Sequence, residues 1–270
     1  MSGIFDGLES LGFKELQEVD LLDKNTISDT NDTTEEEDTP MNYLSPKVFT
    51  CPVCGLKFTD YLVKISKLQV VSVDTDLRTI YRTIDPNFYD VILCVHCGYA
   101  ALQNQFAHIT EKQANTVMEK VMPSFKSKIY PVPLSPKHAV ERYKMALLCA
   151  VTKEVKSGEK ALICLKTAWL YRDMSDEENE MLFLSNACKL FMDAFSSESF
   201  PVGHFDEVTV QLLIAELARR TGDIEEAIKW ISAVMQRRKI GPALKRRADA
   251  IRELIREQTA KPEQAAEEGI

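Results

Sequence analysis

Apolar positions change their spacing along the chain, and each spacing predicts a different kind of element. Residues 61–73, YLVKISKLQVVSV, alternate apolar with polar side chains, and residues 78–84 and 88–93 are rich in β-branched and aromatic residues. A period of two places alternate side chains on one face, so half-buried antiparallel strands are predicted over 62–73, 78–84 and 88–93. Turn-forming residues separate them: the acidic stretch 74–76, then Asp85, Pro86 and Asn87. At Thr110 the period lengthens. Thr110 with Gln113 three residues on predicts a capped helix to about Met122, after which Pro123, Pro131, Pro133 and Pro136 interrupt. From 135 onward apolar residues recur every three to four positions, predicting helices over about 136–155, 159–172, 176–198, 206–221, 223–238 and 242–258. Ser135 with Pro136, Ser175 with Glu178, and Asp223 with Glu226 mark helix starts, and Gly158, Gly203, Gly222 and Gly241 are expected between helices.

Six helices joined by short loops make three hairpins. Residues 161–173, ALICLKTAWLYRD, and 208–235, VTVQLLIAELARRTGDIEEAIKWISAVM, look like tetratricopeptide-type units, with small residues at close-packing positions and a Gly-Asp turn. Such hairpins bury their apolar faces by stacking. Stacked repeats and another all-helical packing both remain open on this pattern.

Charge divides the chain differently from periodicity. The 270 residues carry a formal charge of −8, but residues 1–44 hold 12 acidic and 2 basic side chains, a balance of −10, which leaves the body at +2. Within that extension, Ile4, Phe5, Leu8, Leu11, Phe13 and Leu16 are scattered among acids as in a short amphipathic segment, and residues 24–40 are too polar to offset the entropy of ordering. The extension 1–44 is therefore expected to be largely disordered. No run approaches the roughly 18 consecutive apolar residues of a membrane span, and MSGIFDGLES lacks the layout of a signal peptide, so a cytoplasmic protein with no membrane contact is expected.

Seven cysteines, an odd number in a long chain, point to reduced thiols rather than a disulfide framework. Cys149, Cys164 and Cys188 sit singly in apolar helical patterns and read as small core residues. The other four form two copies of CxxCG: Cys51 with Cys54, and Cys94 with Cys97. Two-residue spacing brings both sulfurs of a knuckle to within about 2.3 Å of one metal ion, and two knuckles complete a tetrahedron. The 39 residues between the knuckles exceed the usual interval, and the predicted strands return the chain. One structural Zn²⁺ on Cys51, Cys54, Cys94 and Cys97 is the expectation; paired disulfides, a rubredoxin-like iron site and a redox pair are its competitors. Four thiolates leave no position for the water or substrate of a catalytic metal.

These readings combine into an α+β fold. A small β-rich zinc-ribbon-like module with a trailing helix is expected over 45–122, a Pro-rich linker over 123–134, an all-α tetratricopeptide-like helical-hairpin domain over 135–260, and a disordered tail over 261–270. Other constellations are weaker. Asp74, Asp76, Asp85 and Asp90 are expected to form turns, with a divalent cation or acid/base role as the alternative. His96, inside the second knuckle, is expected to be exposed or to support the ligands, and His108, His138 and His204 have no partners at ligand spacing. No nucleotide-binding, zinc-protease or serine-hydrolase motif is present, so no catalytic residue is assigned.

Residues 51–58, CPVCGLKF, the stretch VDTD at 73–76, and residues 85–100, DPNFYDVILCVHCGYA, closely resemble the bacterial proteins grouped as domain of unknown function 2225. The specific part is Asn87, Tyr89, Asp90, Val91, Cys94, Cys97, Gly98, Tyr99 and Ala100, and the resemblance covers about 46–260. It implies a metal-binding knuckle pair in a bacterial cytoplasmic protein, with no established activity. Many members have a further Cys after the acidic turn, whereas residues 77–84 here contain none.

The functional expectation is a non-enzymatic adaptor that takes a protein or peptide in the helical-repeat groove, with the acidic amino-terminal segment as an intramolecular occupant. The first alternative is nucleic-acid binding, through Lys57, Phe58, Tyr61, Lys64, Lys67, Arg78, Tyr81 and Arg82, or through Arg219, Arg220, Arg237, Arg238, Lys239, Lys245, Arg246 and Arg247 near the carboxyl end. The second alternative is a metal-dependent or redox enzyme.

Overall fold

Three short antiparallel ribbons form wherever a β-branched run meets a tight loop. β1 (Leu44–Thr50) pairs with β2 (Lys57–Val63) in unbroken register from Leu44↔Val63 to Thr50↔Lys57. β3 (Val70–Val73) pairs with β4 (Thr79–Tyr81), and β5 (Val91–Leu93) with β6 (Ala100–Leu102). The computed structural model describes residues 39–267, with side chains to residue 260. The amphipathic segment and acidic linker expected before residue 39, with their role as a groove occupant, lie outside the described residues.

The strand predicted over 62–73 is two strands. A 3-10 turn at Ile65–Lys67 breaks it, after the Lys64 N–H bonds to the Tyr43 carbonyl at 2.8 Å and ends the first ribbon. The run at 88–93 shrinks to β5 because the Asp85 carboxylate caps the Asn87 N–H at 2.8 Å and holds Pro86–Tyr89 in a second 3-10 turn. β6, Ala-Ala-Leu, has little strand propensity of its own and is extended because it pairs with β5.

Seven helices follow: α1 (Glu111–Lys120), α2 (Pro136–Thr152), α3 (Ser157–Asp173), α4 (Glu177–Ser197), α5 (Glu207–Arg220), α6 (Ile224–Met235) and α7 (Pro242–Glu267). Capping boxes open α1 (Thr110 with Gln113) and α2 (Ser135 with His138), and Asp223 caps α6. Two starts differ from expectation. Asp176, not Ser175, caps α4, because Ser175 stands at φ +55° in the left-handed turn that closes α3. Gly158 lies in the first turn of α3 rather than before it. No side chain of Lys156 caps that helix; instead the Gly158 N–H donates to Glu198 at the end of α4, 2.8 Å away, and a Cβ there would stand 2.3 Å from Val202 Cγ1.

Each helix from α2 to α7 packs on the next, and α5 also touches α7. Two large cores result. The first joins Cys51, Val91, Ile92, Cys94, Cys97 and Tyr99 of the ribbons to Val117 of α1, Tyr143 and Cys149 of α2, and Ile163 and Leu170 of α3. The second joins Leu165 of α3 to Leu184, Phe191, Leu213, Ile231 and Ile251 of the later helices. α3 feeds both, which is why it is buried on most of its faces. The described residues are accordingly one compact unit. Among the described residues, no helix is long and apolar enough to cross a membrane.

The loop between β3 and β4 is bolted to the helices by buried charge. Asp76 is fully buried and accepts from Arg172 Nη2 at 2.7 Å, Trp169 Nε1 at 3.1 Å and the Arg78 N–H at 3.3 Å. Arg172 also donates to Asp74 at 3.1 Å and to Glu180 of α4 at 2.7 Å. Thr75 donates to Glu216 of α5 at 2.6 Å, and that buried carboxylate is held in turn by Arg219 and Arg220. Burial alone would push the Asp76 carboxyl up, but the hydrogen bond and charge of Arg172 hold it below the usual carboxylate range. Its stabilisation is therefore full above the unfolded pKa of about 3.9 and is lost as pH falls through that value towards the lower folded one. Arg172→Met, which leaves Asp76 buried without its main partner, is expected to cost about 3–5 kcal/mol in urea denaturation at neutral pH. Asp76→Asn is expected to flatten the acid limb of the stability curve below about pH 4; an unchanged acid limb would show that Asp76 titrates normally.

Candidate metal centre

Each cysteine pair sits in the loop that closes a ribbon. Cys51 follows β1 and Cys54 precedes β2, while Cys94 follows β5 and Cys97 precedes β6. The two loops are built alike. In the first, the Gly55 N–H donates to the Cys51 carbonyl at 2.9 Å and the Cys51 N–H to the Leu56 carbonyl at 3.0 Å; in the second, Gly98 donates to Cys94 at 3.0 Å and Cys94 to Tyr99 at 2.8 Å. Both turns need a left-handed residue after the second cysteine, and Gly55 and Gly98 supply it at φ +72° and +78°.

The four sulfurs converge within 4.8 Å of one another, the one group of three or more such side chains among the described residues that could hold a metal ion. Cys51 and Cys97 sulfurs are 3.6 Å apart, and those of Cys54 and Cys94 are 3.7 Å apart. A disulfide requires about 2.0 Å. Sulfurs at the corners of a tetrahedron, each about 2.3 Å from a central ion, stand about 3.8 Å apart, so the donor set fits a four-coordinate metal. As thiols alone, hydrogen bonds from Cys51 and Cys97 hold the Cys94 thiol far down, at about 2, while Cys51 is pushed up to about 12 by its bond to Cys94, and Cys97 is pushed up by Cys51 and Cys94.

The second knuckle is tied to the helices residue by residue. Asn87 donates to the Lys166 carbonyl at 3.1 Å and accepts from the Tyr143 hydroxyl at 2.7 Å. The Tyr89 hydroxyl accepts from the Leu134 N–H at 2.8 Å, Asp90 pairs with Lys166, and the Val91 carbonyl accepts from Arg142, which also pairs with buried Asp60 of β2. The Cys149 sulfur of α2 accepts from the Ala100 N–H at 3.4 Å and reaches the Gly98 carbonyl at 3.6 Å. The sequence marks Cys149 only as a small apolar residue; its contact with the knuckle backbone depends on tertiary packing and leaves no local signal.

The remaining candidate residues are dispersed. Exposed His96 places Nε2 3.1 Å from the Lys57 carbonyl, and His108 is 2.9 Å from the Asn104 carbonyl. His138 serves its capping box, and the His204 ring lies tilted against Phe205. Asp74 and Asp76 meet Arg172, Asp90 meets Lys166, and Asp85 caps a turn. Phe58 and Arg78 are buried, the latter paired with Asp173. Near the carboxyl end Arg219 and Arg220 pair with Glu216, Arg237 with Glu207 and Lys245 with Asp249.

Uncharacterized proteins conserved in bacteria, the DUF2225 family, match this chain over residues 44–261, and the chain belongs to that family. Neither the curated proteins nor the solved structures provide a match.

The two glycines differ in what surrounds them. A Cβ at Gly55 meets nothing within 4 Å, whereas one at Gly98 would stand 2.5 Å from two ring atoms of Phe125. Gly55→Ala is expected to cost about 1–2 kcal/mol for the left-handed backbone, and Gly98→Ala about 1–3 kcal/mol more for the overpacked ring. Urea denaturation of both variants measures the difference; equal losses would show that Phe125 moves aside freely.

Proposed function

We propose, with membership of this bacterial family as the premise, that the protein is a non-enzymatic protein-interaction adaptor whose Cys51, Cys54, Cys94 and Cys97 hold one structural zinc ion. The observation that carries the metal part is the tetrahedral spacing of four cysteine sulfurs. Four thiolates are the donor set of closed structural zinc sites, and they leave no coordination position for a reacting molecule. Bound there, zinc supplies a cross-link between the two knuckles and the positive charge that lets their thiolates coexist. Free thiols throughout agree with a reducing compartment, the cytoplasm.

The adaptor part is supported by how the other chemistry is spent. Asp74, Asp76 and Asp90 are neutralised by Arg172 and Lys166 instead of converging on an open position. Large apolar side chains meanwhile stand exposed on the helices, among them Leu148 and Val151 of α2 and Leu182 of α4. The α3 and α5 residues that face the ribbons already hold the chain's own 74–78 loop, so a partner is assigned to outward surfaces.

Elemental analysis of protein purified without added metal is expected to find one zinc per chain, lost in Cys51→Ser and in Cys94→Ser. Iron, or zinc retained in both variants, would sink the reading. Because the knuckles share a core with α2 and α3, metal removal is expected to lower one cooperative unfolding transition of the whole body. Two resolved transitions in calorimetry would show instead that the ribbons melt alone.

A further inference from the structure

We infer that the open edge of β3 is a docking site for an extended acidic segment of a partner protein, which joins the ribbon as an added strand and places a side chain in the adjoining cavity. The inference rests on the adaptor reading above and gives it a location.

β3 pairs with β4 and no other strand among the described residues. A strand that packs on a core buries alternate side chains, yet all four residues of β3 are exposed. Val70, Val71 and Val73 are 59%, 62% and 51% exposed, and Ile65 just before them 68%. Proteins blunt open edges with charge, proline, bulges or a covering element. β3 contains no charge and no proline, and three of its four residues are valine. Its ladder has an irregularity between Val70 and Ser72, but the exposed valines on either side remain uncovered.

This edge is not a loose end. The loop at its tip is anchored through Asp76 to Arg172 and Trp169 and through Thr75 to Glu216, so the strand is ordered before any partner arrives, and the entropic cost of association falls. Val73 and Tyr81 of the same ribbon, with Ile65, line a cavity of about 490 Å³ that Trp169 and Phe205 also line. Strand addition uses both features: main-chain hydrogen bonds at the edge supply affinity, and a pocket for alternate side chains supplies selectivity.

Charge states the chemistry of the occupant. Residues 61–73 and 79–84 contain Lys64, Lys67 and Arg82, all exposed, and no carboxylate. The aspartates of the tip are turned into Arg172, and of the carboxylates that line the cavity Asp90 is paired with Lys166 and Asp85 accepts from the Asn87 N–H. An extended segment alternating apolar with acidic residues complements this surface. A single nucleic-acid strand would meet the same cations, but it binds by stacking on exposed rings, and the exposed apolar side chains of this surface are aliphatic, while Phe58 is buried and Tyr61 and Tyr81 are half-buried.

The test selects phage-displayed random decapeptides on the immobilised full chain and measures the winners by fluorescence anisotropy. Alternating apolar and acidic sequences are expected to be enriched. Their affinity is expected to fall at least about tenfold with Val71→Asp or Lys67→Glu, with melting temperature unchanged because neither side chain packs. Proline at alternate positions of the peptide should abolish binding. Enriched peptides insensitive to these changes, yet lost with Val151→Asp or Leu182→Asp on the helices, would overturn the edge site and leave the adaptor reading standing. No enrichment at all would overturn both. Tighter binding of labelled oligodeoxythymidylate, lost with Lys67→Glu, would overturn the peptide site in favour of nucleic acid.

Discussion

Four sulfurs separated by 39 residues of chain have to arrive at one point, and the course of the intervening segment follows from that demand. The excursion leaves the first knuckle along β2, turns at Ile65–Lys67, runs out through β3, and returns through β4 and β5 to the second knuckle. A ribbon pair of this size buries too little apolar surface to hold itself in place. The chain solves this by fastening the excursion to the helices chiefly at two places, the 74–78 loop on α3 and α5 and the 85–91 turn on α2 and α3, with Asp60 of β2 held by Arg142 of α2 as well. The residues that carry the family resemblance, Asn87, Tyr89, Asp90 and Val91, are the second of these fastenings.

Both fastenings are ionic or hydrogen-bonded, set beside an apolar core. Asp60 with Arg142, Asp76 with Arg172, and Asp90 with Lys166 each join a ribbon or turn residue to a helix. Buried ion pairs add little net stability compared with well-packed apolar groups, yet breaking one is costly. They therefore act chiefly to fix which face of the ribbons meets which turn of the helices. A slipped register would bury a charge without its partner.

Much of this was legible in the sequence, because the signals are local. Thr110 with Gln113, Ser135 and Asp223 mark helix starts through side chains that bond three residues away, and the two CxxCG copies announce their own turns. Ser175 was misleading as a cap since its left-handed backbone follows from how α3 ends, which no neighbouring residue signals. The strand run at 62–73 broke because a distant carbonyl, that of Tyr43, terminates the ribbon at Lys64. Least legible was the fate of Asp74 and Asp76. Their turn is as expected, but their partner Arg172 lies 96 residues from Asp76, and spacing along the chain carries no sign of such a contact. The shared core is hidden for the same reason: α3 looks like a helix of one hairpin, and only packing shows that it completes the knuckle region as well.

That double use of α3 sets an order of events during synthesis. All four cysteines and the ribbons leave the ribosome before the helices that seal their core, so the nascent knuckles wait with Val91, Ile92 and Tyr99 uncovered until α2, which packs on β5 and β6, and then α3 emerge. Maturation of the amino-terminal half is thereby tied to translation of the chain's middle, and a product truncated before α2 and α3 would leave the apolar faces of β5 and β6 bare.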